Sequence, residues 1–467
     1  MEREILTLFV VGIGIASLFM RLSFVITAQL AFFVLGAAGT VSFGAASIPP
    51  ANLFLLFFVG RLLVMPGAVA VMMSALRPWR SGFTLLILMS YAAMTAYFYP
   101  RLLDGVTDVF YSDRSLPESA AGFTRALQPG SGNVTQALYA VSGLAVYAAA
   151  YAYCRYGATG AFVRGVVVLA LINVLFGVLD IVTYSLGASD VLSFARSGGY
   201  VVHLSQQWAG FRRVIGSFSE PATFGSHSFQ FFVAMFCLWY QRWGGRIVTF
   251  SMLGNLAMLV ASTSTTAYAG FVVFALSLPI WLAIALAGGR VPRKTASLLI
   301  VSVPLLLFIS ALAISQAVPA GLYDVLDLTL RKGDSASAIE RGIMNAQAWR
   351  NFIETSGLGV GLGSARASSF LLVILSNIGV LGALLFSIFV LQLLAPGTSD
   401  GVRMRQIAWS MARGMALAML VVDCISGGVF DLTAKFYIIC GVWAASKEAR
   451  YPAADHGPTS VGLPSPA

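Results

Sequence analysis

Charge is scarce in this sequence: Asp, Glu, Lys and Arg make up 10% of its 467 residues, against about 25% in an ordinary soluble domain. With 58% apolar residues and a mean hydropathy of +0.83, that scarcity excludes a soluble enzyme, a disordered regulator and a DNA-binding module. Histidine is scarce as well, and the three residues at 203, 227 and 456 are too scattered for a histidine-based metal site. The four cysteines, Cys154, Cys237, Cys424 and Cys440, lie in or beside apolar runs. They show neither metal-ligand spacing nor a disulfide framework and read as small core residues. No G-x-x-x-x-G-K-[ST] loop or dinucleotide fingerprint is present, which disfavours ATP-driven transport by this chain. No cofactor and no metal is expected. The net charge of +10 does not imply nucleic acid, because the basic residues stand in ones and twos between apolar runs, where they orient a membrane protein.

Apolar runs are what the sequence has in abundance. A transmembrane helix needs about 20 mostly apolar residues. Runs that meet this measure, or come near it, lie at roughly 5–20, 22–46, 51–74, 82–100, 134–154, 161–187, 222–241, 247–263, 266–288, 295–318, 367–394, 408–427 and 429–446. They predict an all-α, polytopic integral membrane protein with about 13 spans (a range of about 12–14), residues 1–446 forming one transmembrane domain. The first two runs are separated only by Arg21 and also fit one span plus a re-entrant or interfacial piece. The opening MERE has no basic n-region and no A-x-A site follows, so a cleaved signal peptide is not expected. Residues 447–467, whose last part is rich in Pro, Gly and Ala, read as a disordered cytoplasmic tail.

Short basic connections set the orientation. Arg77 and Arg80, Arg155 and Arg164, Arg242 and Arg246, Arg290, Arg293 and Lys294, Arg403 and Arg405, and Lys447 and Arg450 fall on alternate loops, with only Asp400 and Glu448 among them. Those loops are expected to be cytoplasmic. Three long loops, about 101–133, 188–221 and 319–366, then face the periplasm. Each is longer than neighbouring helices need, and loops held on a rigid scaffold are where function usually sits.

The second of these loops ends Trp208-Ala-Gly-Phe-Arg212-Arg213-Val-Ile-Gly216-Ser-Phe218-Ser-Glu220-Pro221. Pro221 suits a first helical position, and a carboxylate before it is favoured by the helix dipole. Glu220 can therefore simply terminate a helix, and the arginines can simply sit at the headgroup level. The functional alternative is that Arg212 and Arg213 hold phosphate oxygens, which the guanidinium fork matches, with Glu220 as a general base or orienter. In the third loop, about 336–355 reads as an amphipathic helix. Arg341 and Asn345 share a face with Ala348 and Phe352, forming either a lid on the membrane surface or a solvated face with ion pairs. The run Gly357-Leu-Gly359-Val-Gly361-Leu-Gly363 that follows is weak as a nucleotide loop and reads as a tight, flexible re-entry into the membrane. Arg61, Asp180, Arg413, Asp423 and Lys435 interrupt apolar runs, and such residues usually face the protein interior. Arg61 stands near mid-span, where it could face a cavity that holds a lipid head. Asp431 and Lys435 are spaced for an ion pair. Ser262-Thr-Ser-Thr-Thr266 joins two spans and reads first as helix capping, with sugar contact as the alternative.

The stretch Arg213-x-x-Gly216-x-Phe218-x-Glu220-Pro221 is similar to one in bacterial O-antigen and exopolysaccharide polymerases, the Wzy-type membrane proteins. Ala348-Trp-Arg-Asn-Phe352, the glycine run, Leu371 and Gly379-Val-Leu-Gly382 together resemble the end of the large periplasmic loop and the next span in the O-antigen ligase/polymerase superfamily. Order and spacing agree over roughly 210–390. The resemblance implies a GT-C-like membrane glycosyltransferase, inverting and independent of metal and nucleotide, in the bacterial inner membrane. Its donor and acceptor would be oligosaccharide repeat units on undecaprenyl pyrophosphate, joined at the periplasmic face, with a flippase and a chain-length regulator as possible partners beside membrane lipid. Arg212, Arg213 and Arg341 would meet the charge of the departing pyrophosphate. Glu220 or His203 would take the proton of the attacking hydroxyl. Tyr200, Trp208 and Trp349 would offer flat surfaces to sugar rings, although interface anchoring explains such aromatics equally well. The catalytic set would be Glu220, Arg213 and Arg341, and the substrate-binding set Arg212, His203, Trp208, Trp349, Asn345 and Arg61. The ligase branch carries a histidine in a His-Asn context shortly after the glycine run and a glutamate before the later Gly-Ile-x-Gly. Here Ala367-Ser-Ser-Phe370 and Asn377-Ile-Gly379 stand in those places, which favours the polymerase. A ligase for another acceptor and a flippase or transporter of lipid-linked sugars remain the alternatives, although no internal repeat of the transporter kind is visible.

Overall fold

A computed structural model of the chain describes residues 2–43, 46–110, 124–198, 207–208, 211–287, 336–397 and 401–448. Among these residues there are fourteen α-helices and three two-stranded antiparallel hairpins. The first seven helices are α1 (Glu2–Ser17), α2 (Leu22–Phe32), α3 (Pro50–Leu63), α4 (Ala68–Ala75), α5 (Ser81–Leu102), α6 (Ser131–Tyr153) and α7 (Thr159–Ser185). The rest are α8 (Pro221–Tyr240), α9 (Gly245–Ala261), α10 (Thr265–Ala287), α11 (Ala336–Glu354), α12 (Phe370–Leu394), α13 (Arg403–Ser426) and α14 (Thr433–Lys447).

Among the described residues, four helical stretches are long and apolar enough to cross a membrane: α5, the α6–α7 stretch Ser131–Ser185, α12 and α13. The pair α3 and α4 makes a fifth if the 113° bend between them lies within one crossing. These stretches make the chain a multi-pass membrane protein. The α6–α7 stretch turns back at the π-helical segment Cys154–Ala158, where Gly157 takes φ 85°. Tyr151, near its middle, bonds to Arg80 and Glu448, whereas Asn133 and Asp180, toward its two ends, bond to other loops at the opposite end of the bundle.

Among the described residues this is fewer crossings than the apolar runs predict, for identifiable reasons. The helices α1, α2, α9 and α14 have 16, 11, 17 and 15 residues, short of the roughly 20 that a 30 Å hydrocarbon core demands. The run 22–46 stops being helical after Phe32 and turns into the hairpin of β1 (Ser42–Phe43) and β2 (Ala46–Ser47). The run 51–74 breaks at Met65-Pro66-Gly67, where proline lacks an amide donor and Gly67 takes φ 75°. The 20-residue α8 carries Ser226, His227, Ser228 and Gln230 within its first half. The run at 295–318 and the tail from 449 onward lie outside the described residues.

The core is built around α14, whose residues from Lys435 to Ser446 are all buried and which packs on α6 and α13. A helix apolar all round belongs in the interior, and α14 shows this despite its shortness. At one end of the bundle Arg80 lies 3.1 Å from Glu448, Arg405 donates to the Glu448 carbonyl at 2.8 Å, and Gly160 adjoins Arg164 and Met404. Arg61 closes α3 near this same end, beside Tyr153, whose hydroxyl donates to the Phe58 carbonyl at 2.7 Å. The described parts of the longer connections, including α11 and the hairpin of β3 (Asp108–Phe110) with β4 (Thr124–Ala126), occupy the far end.

The glycine run at the far end is tight but not loose. Gly357, Gly359, Gly361 and Gly363 alternate at φ 81°, 84°, 96° and 82°, a region open to glycine at little cost. Val360 and Leu362 between them are fully buried. The segment hydrogen-bonds to a break in α12, where Gly379 has φ 65° and ψ −164°. Val360 N–H donates to the Ser376 carbonyl at 2.7 Å, Gly361 N–H to the Asn377 carbonyl at 2.8 Å, and Val380 N–H to the Gly357 carbonyl at 3.0 Å. The Asn377 side chain accepts from Gly363 N–H at 2.9 Å and donates to the Ala365 carbonyl at 2.9 Å. Asn133 at the start of α6 donates to the Leu362 carbonyl at 2.7 Å. These hydrogen bonds satisfy backbone groups that a broken helix exposes.

Candidate functional site

The segment that leads into α8 is organised by one buried carboxylate. Asp180, near the end of α7, lies 2.6 Å from Arg196 and 2.8 Å from Arg212 through Oδ1. Its Oδ2 accepts the backbone N–H of Ile215 at 2.9 Å and of Gly216 at 3.2 Å. Arg196 Nε in turn donates to the Gly216 carbonyl at 3.0 Å. A buried anion costs much free energy unless it is paired and hydrogen-bonded, and here two guanidiniums and two amides meet it. Arg212 also stacks over the Tyr184 ring at 3.9 Å. Its charge is thus spent on the scaffold, in the hairpin of β5 (Gln207–Trp208) and β6 (Phe211–Arg212).

Arg213 points the other way, onto the hydroxyl-rich turn between α9 and α10. Its Nε donates to Thr263 Oγ1 at 3.0 Å, and its Nη2 to the Thr263 carbonyl at 3.2 Å. Thr263 itself has φ 45°, a conformation that turns both acceptors toward the guanidinium. Around it Ser264 Oγ accepts from Ala267 N–H at 3.3 Å, so the turn both caps α10 and seats Arg213. Burial lowers the Arg213 guanidinium below its ordinary value, and the nearby Glu220 carboxylate and Tyr268 hydroxyl draw it back up.

Glu220 is exposed and occupies the N-cap position of α8 with Pro221 at the first helical position. Its side chain makes no capping bond to the backbone and instead accepts from Thr223 Oγ1 at 3.0 Å. Below it runs a polar line that the sequence reading missed. Thr223, His227 and Gln230 follow Glu220 at helical spacing on one face, and Lys435 of α14 donates to Gln230 Oε1 at 2.7 Å. His227 Nδ1 lies 2.9 Å from the Thr223 carbonyl. A carbonyl can only accept, so Nδ1 carries the proton and Nε2 is left as an unprotonated acceptor nitrogen. The His227 ring packs on Phe218 at 4.4 Å between centroids. The available signal was the recurrence of polar residues every three or four positions in an otherwise apolar helix. The expected pairing of Asp431 with Lys435 gives way to other partners: Lys435 turns to Gln230, and Asp431 accepts from Thr433 N–H at 3.0 Å. Burial pushes the Asp431 carboxyl up to about 6.

The amphipathic α11 docks on β3 and α12. Asn345 accepts from Ser368 N–H at 2.7 Å and Ala348 is buried, so the face that also carries Arg341 turns inward. The opposite side leaves Ile339, Ile343, Trp349 and Ile353 exposed. Trp349 stacks on Phe352 at 5.3 Å. Arg366, after the glycine run, was also missed; it is exposed and reaches toward Gly428 in the α13–α14 loop. Glu220, Arg213, Arg212, Asn345, Trp349 and Arg341 thus share the far end of the bundle, while Arg61 lies toward the basic end. Its Nε is buried and has no hydrogen-bond partner among the described residues. His203 and Tyr200 lie outside the described residues, and for Trp208 only the backbone is described. Among the described residues no cluster of three or more His, Cys, Asp or Glu could hold a metal ion.

No protein-family model, no curated protein and no solved structure matches this chain.

Proposed function

We propose that the protein joins undecaprenyl-pyrophosphate-linked oligosaccharide units at the outer face of a bacterial inner membrane, as a polysaccharide polymerase. The observation that carries this reading is a half-buried guanidinium, Arg213, held on Thr263 within electrostatic reach of an exposed carboxylate, Glu220, at the end of the bundle away from the short basic connections. Basic ends of membrane proteins face the cytoplasm, which turns this pair outward. Breaking a sugar–pyrophosphate bond releases negative charge, and a fixed guanidinium in a water-poor setting stabilises that charge where it develops. Arg213 is preorganised for this by Thr263 and by the Asp180 clamp on the preceding residues. Arg341 and Arg366 supply further positive charge at the same end. Glu220 takes the proton of the attacking hydroxyl.

A second reading, movement of lipid-linked sugars across the membrane, draws support from the 113° bend between α3 and α4 and from the break at Gly379, since transporters use discontinuous helices. One experiment separates the two. Purified protein is given a defined lipid-linked repeat unit, without added nucleotide, and the products are resolved as a gel ladder. A polymerase yields a ladder; a flippase returns the input unit unchanged.

A further inference from the structure

At the basic end, α8 meets α9 through a turn that uses three left-handed residues: Arg242 at φ 53°, Gly244 at φ 77° and Gly245 at φ 55°. Glycine adopts this conformation readily, but an arginine there is uncommon, so Arg242 is held at a backbone cost in a place that glycine would fill more easily. The turn borders an open cleft of about 630 Å³ lined by Trp239, Arg242, Trp243, Arg246, Phe250 and Leu253, among others. Arg242 and Arg246 are both exposed, and neither guanidinium has a hydrogen-bond or ion-pair partner among the described residues. Arg246, Phe250 and Leu253 fall at i, i+4 and i+7 of α9, one stripe that begins with a cation and continues apolar along the helix. Phe250 and Leu253 are 65% and 55% exposed, with no protein covering them. Charge at the turn and hydrocarbon contact below it, in that order along the bundle axis, is the layout of a phospholipid standing in a leaflet.

We propose that this cleft binds one anionic phospholipid, its phosphate between Arg242 and Arg246 and its acyl chains along Phe250 and Leu253, with the indoles of Trp239 and Trp243 at the level of the glycerol. The two indoles suit the interface depth, and basic pockets on the cytoplasmic side are matched to anionic headgroups. The site is independent of the polymerase reading, because it lies at the other end of the bundle from Arg213 and Glu220.

The test uses full-length protein in phosphatidylcholine nanodiscs doped with phosphatidylglycerol, with lipid retention counted by native mass spectrometry. The wild type should retain one more phosphatidylglycerol than the Arg242→Gln/Arg246→Gln variant, whose half-saturating lipid fraction should rise about tenfold or more. An Arg242→Lys/Arg246→Lys variant should keep most of the binding, which separates lost charge from a disturbed turn. An Arg403→Gln control at the same end should behave as wild type. Equal retention by wild type and the Gln variant, or equal retention of phosphatidylcholine, overturns the proposal. So does displacement of the lipid by millimolar inorganic phosphate, which would make the cleft a site for the free anion.

Discussion

Two neighbouring arginines divide their labour. Arg212 is consumed by Asp180 and Tyr184, at 2.8 and 3.9 Å, and Arg213 is aimed at the α9–α10 turn and Glu220. The sequence offered both as phosphate ligands, because a pair of arginines before a helix looks the same whichever one the scaffold takes. What separates them is Asp180, 32 residues earlier in sequence, visible as an expensive acid in an apolar run but with no indication of its partners. Substitution should therefore separate them too. Arg213→Ala, and Arg213→Lys nearly as much, should lower repeat-unit transfer by about a hundredfold or more with normal protein in the membrane. Asp180→Asn should instead destabilise the fold by about 3–5 kcal/mol, because it strips a buried guanidinium pair of its counter-charge. Activity per folded protein and the thermal unfolding midpoint in detergent distinguish the two outcomes. A wild-type rate in Arg213→Lys would count against direct phosphate contact.

At the level of elements, helix identity was legible wherever apolar runs were long and free of charge, as in α5 and α12, and survived single charged residues in α13. Helix breaks were not. Apolar content does not register that Pro66 and Gly67 bend the chain by 113°, or that a chain stays apolar while turning into a hairpin after Phe32. The glycine run shows the reverse case. It reads as a flexible entry because glycine permits motion, yet long-range hydrogen bonds to Ser376 and Asn377 fix it in the core. The run and the Asn377-Ile-Gly379 stretch are one structure: a Cβ at Gly379 would stand 2.3 Å from the Gly357 and Leu358 carbonyl oxygens, and backbone has nowhere to retreat. Gly379→Ala is expected to cost at least about 1–3 kcal/mol from overpacking alone, plus the strain of placing a Cβ at φ 65°, ψ −164°, a region essentially open to glycine only. A drop in the unfolding midpoint, larger than that of Gly12→Ala at an open helical position, checks this.

On the scale of the whole molecule, polarity organises the chain. Arg80, Arg164, Arg405 and the Arg242–Arg246 turn collect at one end, and the Asp180 clamp, Arg213, Glu220, Arg366 and α11 at the other. This separation was readable from alternate loops, because the charge bias that orients a membrane protein is local in sequence. The composition of the site was less so, since it draws on α7, α8, the α9–α10 turn, α11 and α14, which only packing brings to one end. The proposed reaction requires this end to face outward. A cysteine-free variant carrying Ser219→Cys, beside Glu220, tests it most directly with a membrane-impermeant thiol reagent applied to intact spheroplasts. Labelling before the membrane is permeabilised is the predicted result; labelling only after permeabilisation would place Arg213 and Glu220 inside the cell and contradict the account.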